Sequence, residues 1–181
     1  MSTHRTAGLL TAIALAACGG QARGPGGTKL PEPIANASLF DTSGTRIGLA
    51  TFSVVEGNGR VGISVSGLSP GEHGMHIHEN GACTPPGFTS AGGHFNPGSK
   101  QHGMLNPEGP HAGDLPNLTV ESDGSADTTF TVAASLLAQG SGSMIGAQNR
   151  AFVIHADPDD QKTDPSGNSG ARVVCGVVER R

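Results

Sequence analysis

The sequence has no excess of basic residues, no long apolar run and no convincing amphipathic helix, and each absence excludes a class of protein. The 11 Lys and Arg against 15 Asp and Glu give a formal charge of −4, so a basic nucleic-acid-binding patch is not expected. The apolar run at residues 7–17 is shorter than the roughly 20 residues that a membrane-spanning helix needs. No internal repeat is visible either, which leaves a single domain without a helical core.

Short β-type segments separated by turn residues run through most of the chain. They are 46–55, 61–66, 74–79, 118–121, 129–132, 152–155 and 171–178. Turn residues stand between several of them, at 41–44, at Asn58-Gly59 and at Asp123-Gly124. The 29 glycines and 12 prolines indicate a loop-rich protein. The sequence therefore predicts an all-β, antiparallel sandwich or barrel.

The first 33 residues differ from the rest and predict export. Residues 1–17 combine a short polar start with an apolar stretch, as in a secretory signal peptide. Leu15-Ala16-Ala17-Cys18 resembles a bacterial lipobox, which predicts a lipidated Cys18, a Gly/Pro-rich tether at 18–33 and a folded domain at 34–181. An ordinary signal peptide with a coincidental cysteine is the alternative. The lipobox reading places the protein in the cell envelope, anchored to a membrane and facing the periplasm or the extracellular side.

Six of the eight histidines, with one aspartate, form a candidate metal-binding constellation. In the segment 74–79, His76 and His78 are two residues apart, so their side chains project from one face of a strand while the apolar residues face the other way. His155 ends another strand-like run and supplies a third ligand if that strand lies beside the first. The same parity puts His73 on the opposite face, where we expect structural hydrogen bonds.

The second half of the constellation lies in the long segment 80–116. This segment shows no sustained period of 2 or 3.6, and an irregular loop of such length in a compact domain is usually ordered for a functional reason. Four of its residues make a set of three nitrogens and one oxygen, which suits tetrahedral zinc: His94, His102, His111 and Asp114.

Five segments within residues 34–178 read HGMHIHENGAC, GGHFNPGSKQHG, GPHAGDLPNL, FVIHADPDD and GNSGARVVCGVV. They closely resemble the signature segments of copper/zinc superoxide dismutases and occur in that family's order. The resemblance implies an eight-stranded, antiparallel Greek-key β-barrel or sandwich with long metal-binding and electrostatic loops. It also implies an antioxidant oxidoreductase that converts two superoxide anions and two protons to dioxygen and hydrogen peroxide by Cu(II)/Cu(I) cycling. The spacing of its motifs is more similar to bacterial members than to eukaryotic ones.

The resemblance further implies one copper and one zinc per chain, with ligands at defined positions. The copper ligands implied are His76, His78, His94 and His155, and the zinc ligands implied are His94, His102, His111 and Asp114. His94 matches the histidine that bridges the two ions and takes up a proton during the reaction.

Other residues match the family's supporting positions. Asp159 matches the aspartate that hydrogen-bonds a histidine of each ion, and the adjacent Asp160 remains an alternative. Arg172 matches the arginine that draws the superoxide anion to copper. Cys83 and Cys175 match the internal disulfide, which an oxidising compartment preserves.

Two other functions remain open at this stage. A dismutase-like domain could carry or buffer copper or zinc without turnover, or zinc and the disulfide could only order the long loop. Copper-dependent visible absorption, easily read in a chain without Trp or Tyr, would exclude the second alternative. The charged C-terminal run 177–181 shows no clear apolar dimer patch, which favours a monomer or weak dimer. Superoxide is the expected small-molecule partner, together with the membrane that holds the anchor.

Overall fold

The computed structural model describes residues 32–146 and 148–181. Within them the chain forms nine strands: β1 (Ala35–Asp41), β2 (Arg46–Val55), β3 (Asn58–Val65), β4 (Gly71–His73), β5 (Met75–His78), β6 (Leu118–Val120), β7 (Ala126–Val132), β8 (Arg150–His155) and β9 (Arg172–Arg180). Two short 3-10 helices cover Thr89–Ala91 and Ala134–Leu137, and no helix of the described residues could span a membrane. The predicted leader at 1–17, the lipidation at Cys18 and most of the 18–33 tether lie outside the described residues.

Seven strands form one antiparallel sheet in the order β5-β8-β9-β1-β2-β3-β7, and β4 pairs with β6 in a second sheet. Several neighbours are far apart in sequence, such as β1 with β9 and β3 with β7, as in a Greek key. β4 and β5 are one stretch of chain that passes from the small sheet to the large one through Gly74. Counted as one strand, they give the eight strands expected, and the predicted all-β class is confirmed.

Gly74 is required at this passage because a loop packs directly over it. A Cβ at position 74 would lie 2.8 Å from the Cβ of Ser169 and 3.2 Å from the Cβ of Asp159. The backbone N–H of Gly74 also donates to the carbonyl of Asp157 at 2.9 Å. The segment 156–171 is therefore held against the start of β5, next to its histidines.

Alternate residues of the strands fill the interior of the curled sheet. The buried side chains of β1 and β3 show the period of 2 expected for strands with one face toward a core: Ala35, Ala37, Leu39, Val61, Ile63 and Val65. Met75 and Ile77 of β5 are fully buried in the same core. The other face of β5 is consequently free to present polar side chains.

A second, smaller apolar cluster lies on the opposite face of β8 and β9. It consists of Phe88, Ala91, Ala151, Val153 and Cys175, with Cys83 packed against it. A disulfide joins Cys83 to Cys175, as expected, and closes a loop of 92 positions. Such a crosslink stabilises a fold by up to roughly 4 to 5 kcal/mol in the chain-entropy model. Cluster and disulfide together fix the segment that leads to His94.

One predicted turn is wrong by two residues. The turn between β2 and β3 consists of Glu56 and Gly57, both at positive φ (50° and 79°), and the predicted pair Asn58-Gly59 lies in β3. The observed register sets Phe52 opposite Val61, and both are fully buried. The eight residue pairs from Gly48-Val65 to Val55-Asn58 are continuous, so the pairing of the two strands outweighs the favourable turn chemistry of Asn-Gly.

Candidate metal centre

Three histidines meet on the outer face of the paired strands β5 and β8. His76 and His78 leave β5 on the face opposite its two core residues. His76 lies opposite Val153 of β8, and His155 has the same parity as Val153, so the three rings converge. The ring centroid of His155 lies 4.8 Å from that of His76 and 5.8 Å from that of His78. All three side chains are buried.

Backbone hydrogen bonds to the free edge of β5 bring His94 to the same face. The N–H of Ile77 donates to the carbonyl of Gly113, and the N–H of Phe95 donates to the carbonyl of Ile77, both at 2.8 Å. A Cβ at position 113 would collide with the Ile77 carbonyl, so this approach requires glycine. As a result the ring of His94 stacks on that of His76, with centroids 3.8 Å apart.

Each ring on this side has one unpaired nitrogen. The carbonyls of Gly92 and Gly170 accept from Nδ1 of His78 (3.0 Å) and of His155 (3.1 Å), which leaves a lone pair on each Nε2. The buried nitrogens without a hydrogen-bond partner in the described chain include Nδ1 of His76 and Nε2 of His78, His94 and His155. These residues place ligand atoms within 4.8 Å of one another. Four neutral imidazoles around one point are a donor set that suits copper.

The other four expected ligands form a tighter cluster. Oδ1 of Asp114 lies 3.1 Å from Nδ1 of His94, 3.1 Å from Nδ1 of His102 and 3.2 Å from Nδ1 of His111. Nδ1 of His94 and Nδ1 of His111 are 3.4 Å apart. Tetrahedral ligands with bonds of roughly 2.0–2.1 Å lie about 3.3–3.4 Å from one another, so these atoms fit zinc. The second oxygen of Asp114 accepts the N–H groups of Gly103 and His111, both at 2.9 Å, which fixes the carboxylate.

His94 contributes one nitrogen to each set, Nε2 to the first and Nδ1 to the second. His76 also has ligand atoms within 4.8 Å of those of His94, His102 and Asp114. Its Nε2, however, is engaged by Asp159 at 2.8 Å, and its Nδ1 belongs to the first set. The geometry therefore favours His94 as the ring common to both sets.

Asp159 links the two sets from behind. Nε2 of His76 donates to one carboxylate oxygen at 2.8 Å, and Nε2 of His102 donates to the other at 3.0 Å. Both contacts use the nitrogen that points away from the candidate metal position, so the carboxylate fixes the tautomer and orientation of each ring. Asp160 is exposed and instead accepts the backbone N–H groups of Lys162 and Thr163. Of the two adjacent aspartates, the structure brings only Asp159 to the centre.

The two sets differ in their protonation. Burial lowers the pKa of His76 to about 4, that of His155 to about 3 and that of His78 to about 2. Burial lowers the pKa of His94 as well. Burial also acts against the cation of His102, but Asp114 and Asp159 outweigh it and raise its pKa to about 9. Hydrogen bonds from histidines hold the pKa values of both aspartates well below their usual range despite their burial.

Arg172 places a half-buried positive charge beside the first set. Its Nη1 donates to the carbonyl of Phe88 at 2.8 Å and its Nη2 to the carbonyl of Gly92 at 2.6 Å. The Gly92 carbonyl also accepts from His78, which puts the guanidinium next to that ring. After burial, the charge of Arg172 is a further cause of the lowered pKa values of His78 and His155. Both of these bonds go to neutral carbonyls, so they do not neutralise the cation.

Two residues with supporting contacts show what the sequence did and did not indicate. His73 is buried, and its ring contacts the carbonyls of His155 (2.7 Å) and Ser69 (2.9 Å), a structural role as expected. Asn117 was missed: its Nδ2 donates to the carbonyl of Asp159, and its Oδ1 accepts the N–H of Asp159, both at 2.9 Å. In the sequence, the only indication that Asn117 supports the site was its position three residues after Asp114.

Fold and site together define an all-β protein of the metal-binding β-barrel class, with two adjacent candidate metal-binding sets that have His94 in common. Residues 46–178 match the family model described as copper/zinc superoxide dismutase (SODC). The chain is 44% identical over 146 residues to Cu-Zn superoxide dismutase 2 of Aquifex aeolicus, which covers 80% of this chain and 85% of that protein. The chain belongs to the copper/zinc superoxide dismutase family.

Solved structures agree with this assignment. A SOD-like protein from Bacillus subtilis superposes with a TM-score of 0.74 at 41% identity, over 78% of this chain and 96% of that one. The Cu/Zn superoxide dismutase from Brucella abortus gives a TM-score of 0.64 at 31% identity, over 80% of this chain and 99% of that one. The protein is an oxidoreductase, a superoxide dismutase with copper and zinc as cofactors and superoxide as substrate.

Proposed function

We propose that this enzyme disproportionates superoxide in the cell envelope, with His76, His78, His94 and His155 as copper ligands and His94, His102, His111 and Asp114 as zinc ligands. The observation that supports this assignment most directly is the ring of His94, which has one buried nitrogen in each set. Two superoxide anions and two protons give one dioxygen and one hydrogen peroxide. A metal carrier would not need a ring shared in this way.

When bound, copper supplies a one-electron redox couple, and zinc supplies a fixed positive charge. His94 handles the proton in our proposal. Its Nδ1 stays within the zinc set, so Nε2 can hold a proton when it is not a ligand and release it toward the reduced substrate.

Arg172 attracts and orients the anion. The described chain is acidic overall, so attraction has to come from local charge near the copper ligands. The carbonyls of Phe88 and Gly92 hold the guanidinium in place, and the disulfide and apolar cluster hold the segment that contains those carbonyls. Lys162 is the added cation of the short segment 156–171, so long-range steering is expected to be weak.

We also propose that residues 1–17 are removed on export and that Cys18 bears the lipid. The apolar run ending in Leu15-Ala16-Ala17-Cys18 supports this, and the disulfide between Cys83 and Cys175 is consistent with an oxidising compartment. Growth with an alkyne-tagged fatty acid should label the wild type and leave a Cys18→Ser variant unlabelled. If neither protein is labelled, the result contradicts the lipid anchor and favours an ordinary signal peptide.

The enzymatic proposal is tested by metal analysis combined with a superoxide assay on the purified protein. One copper and one zinc per chain are expected, with full loss of turnover after selective copper removal and recovery after copper is returned. A copper-dependent visible band should appear and disappear in parallel. Stoichiometric copper binding without turnover would show a carrier and contradict the proposal.

A further inference from the structure

A cavity of about 320 Å³ lies beside His94, lined chiefly by polar side chains. Its walls include Glu79, Asn80, Asn96, Gln148 and Arg150 together with the ring of His94. The family assignment gives this cavity no role, since Arg172 is the cation that faces the substrate. What distinguishes it is the state of Arg150.

Arg150 is a buried cation without a matching anion. Only 8% of the residue is exposed, and the guanidinium carbon lies 4.2 Å from the centroid of the Phe95 ring. Nη1 donates to the carbonyl of Glu79 at 2.8 Å, while the buried Nε has no hydrogen-bond partner in the described chain. Of its nitrogens only Nε is both fully buried and unpaired, so the guanidinium is largely withdrawn from water, and a paired anion would stabilise it.

Glu79 does not fill that need. The Glu79 carboxylate attracts Arg150, but its Oε1 accepts the backbone N–H of Gly93 at 3.1 Å. The hydrogen bond that Arg150 donates to Glu79 goes to the backbone carbonyl. Asn80 and Gln148 are exposed in the same wall; Nδ2 of Asn80 donates to the carbonyl of Ser90 at 3.4 Å, and its second N–H and the amide of Gln148 can donate to a guest. The cavity thus offers a guanidinium and amide donors to a small guest.

From this geometry we propose that the cavity is a binding site for a small oxyanion, a phosphate or a carboxylate, held by Arg150 and the amides of Asn80 and Gln148. A planar guanidinium pairs with either group through two parallel N–H···O bonds. The site lies on the side of His94 lined by Phe95 and Asn96, and it is separate from the anion position of Arg172. It places a second negative ligand next to the shared ring.

The test uses the reduced, zinc-containing holoenzyme, which is diamagnetic, and titrates it with inorganic phosphate in one arm and acetate in the other. Nitrogen-15 NMR should show saturable shifts of the Arg150 Nε–H signal and of the Asn80 and Gln148 amide signals. The anion with the lower dissociation constant, phosphate or acetate, identifies the class of oxyanion. No shift at Arg150 in either arm up to 100 mM would overturn the proposal.

Variants separate this site from the substrate site. Arg150→Gln should weaken binding at least about tenfold, the loss of a charge-assisted hydrogen bond, while the matched exposed control Arg60→Gln leaves it unchanged. Arg172→Gln should leave the Arg150 shifts in place. Binding that disappears in Arg172→Gln and persists in Arg150→Gln would show that the anion binds only at the substrate site.

A second variant keeps the proposal testable if Arg150→Gln does not fold. Glu79→Gln changes an exposed side chain and removes the negative charge from the cavity wall, so anion binding should tighten by about two- to tenfold. Asn80→Ala, also exposed, should weaken it. Unchanged affinity in both variants would place the anion elsewhere.

Discussion

The copper-side and zinc-side halves of the centre are built differently. His76, His78 and His155 stand on hydrogen-bonded strands, and each of their free nitrogens is buried and neutral. His102, His111 and Asp114 stand on a loop, and their ligand atoms contact one another directly. The first half needs no carboxylate, whereas the second is organised around one.

This difference fits the task proposed for each ion. The hydrogen bonds between β5 and β8 would hold the proposed copper ligands His76, His78 and His155 in place whether or not His94 is a ligand. On the loop, Oδ1 of Asp114 contacts the Nδ1 atoms of His94, His102 and His111 and holds these residues together. This arrangement suits an ion that supplies a fixed positive charge. His94 is attached to the edge of β5 by its neighbour Phe95 and reaches Asp114 on the loop, so it joins the two halves.

Replacement of His94 by alanine should have the largest effect, because it removes the connection itself. We expect the dismutation rate to fall by about 100-fold or more, the usual contribution of a positioned proton donor. Pulse radiolysis on metal-loaded protein measures the rate. His73→Gln, which changes a buried histidine outside both sets, should retain its rate per bound copper. A His94→Ala rate within tenfold of the wild type would show that the halves act independently.

Asp159→Asn should have the next largest effect, since it breaks the link behind the two sets. Zinc affinity should fall by about 10- to 100-fold, the usual cost of losing a carboxylate that orients a metal-bound histidine. Competition with a chromophoric chelator gives the affinity. Asp160→Asn is the matched control and should bind zinc like the wild type, because its side chain lies outside the centre. Equal losses in both variants would indicate a general effect on the loop.

Arg172→Glu probes the copper side alone. The rate constant with superoxide should fall by at least about tenfold, and its dependence on ionic strength should weaken, because the local attraction is replaced by repulsion. Pulse radiolysis over a series of salt concentrations provides the measurement. Arg172→Lys keeps the charge but loses the paired bonds to the carbonyls of Phe88 and Gly92. Its rate constant should therefore lie between those of the wild type and Arg172→Glu. An unchanged Arg172→Glu rate would remove this residue from the mechanism.

The smallest effect concerns the pH dependence of stability in the metal-free protein. His102 has a raised folded-state pKa of about 9 against 6.5 unfolded, so its contribution is complete below pH 6.5 and is lost as the pH rises toward 9. The stability should fall by at most about 1.4 kcal/mol per pH unit in that range. Urea unfolding at several pH values measures it, and His102→Gln should abolish the alkaline decline.

The histidines of the copper side predict a loss of stability at acidic pH, opposite to the alkaline loss that His102 causes. His76, His78 and His155 have lowered folded-state pKa values, so their contribution is complete above pH 6.5. It is lost as the pH falls toward about 4 for His76, about 3 for His155 and about 2 for His78. Metal-free protein should therefore be most stable near pH 6.5. A stability that rises steadily from pH 6.5 to 9 would contradict the assigned difference between the halves.

The strand-mounted part of the centre was predictable from sequence, and the loop contacts were not. His76 and His78 follow from the period of 2, and the structure adds the pairing of β5 with β8 that brings His155 beside them. The strands β1 and β4 escaped prediction, since the polar, small residues of Ala35–Asp41 and the three residues of Gly71–His73 show little pattern. Their places depend on pairing with distant strands.

Tertiary contacts decide the remaining positions. The choice between Asp159 and Asp160 depends on which carboxylate the loop turns inward, and the clamp by Asn117 selects the backbone position of Asp159. The turn at Glu56-Gly57 follows from the pairing of β2 with β3 along eight residue pairs and not from turn preference. Arg150 gave no signal in the sequence, because its importance comes from its burial against the ring of Phe95.

The central claim, that His94 joins two different ions, is tested most directly by anomalous diffraction from crystals of the fully loaded protein. Data collected at the copper and zinc absorption edges distinguish the two metals. We predict a copper peak at Nε2 of His94, close to His76, His78 and His155, and a zinc peak at Nδ1 of the same ring, close to His102, His111 and Asp114. A ring of His94 bound to one ion only, or a single peak in the centre, would contradict the account.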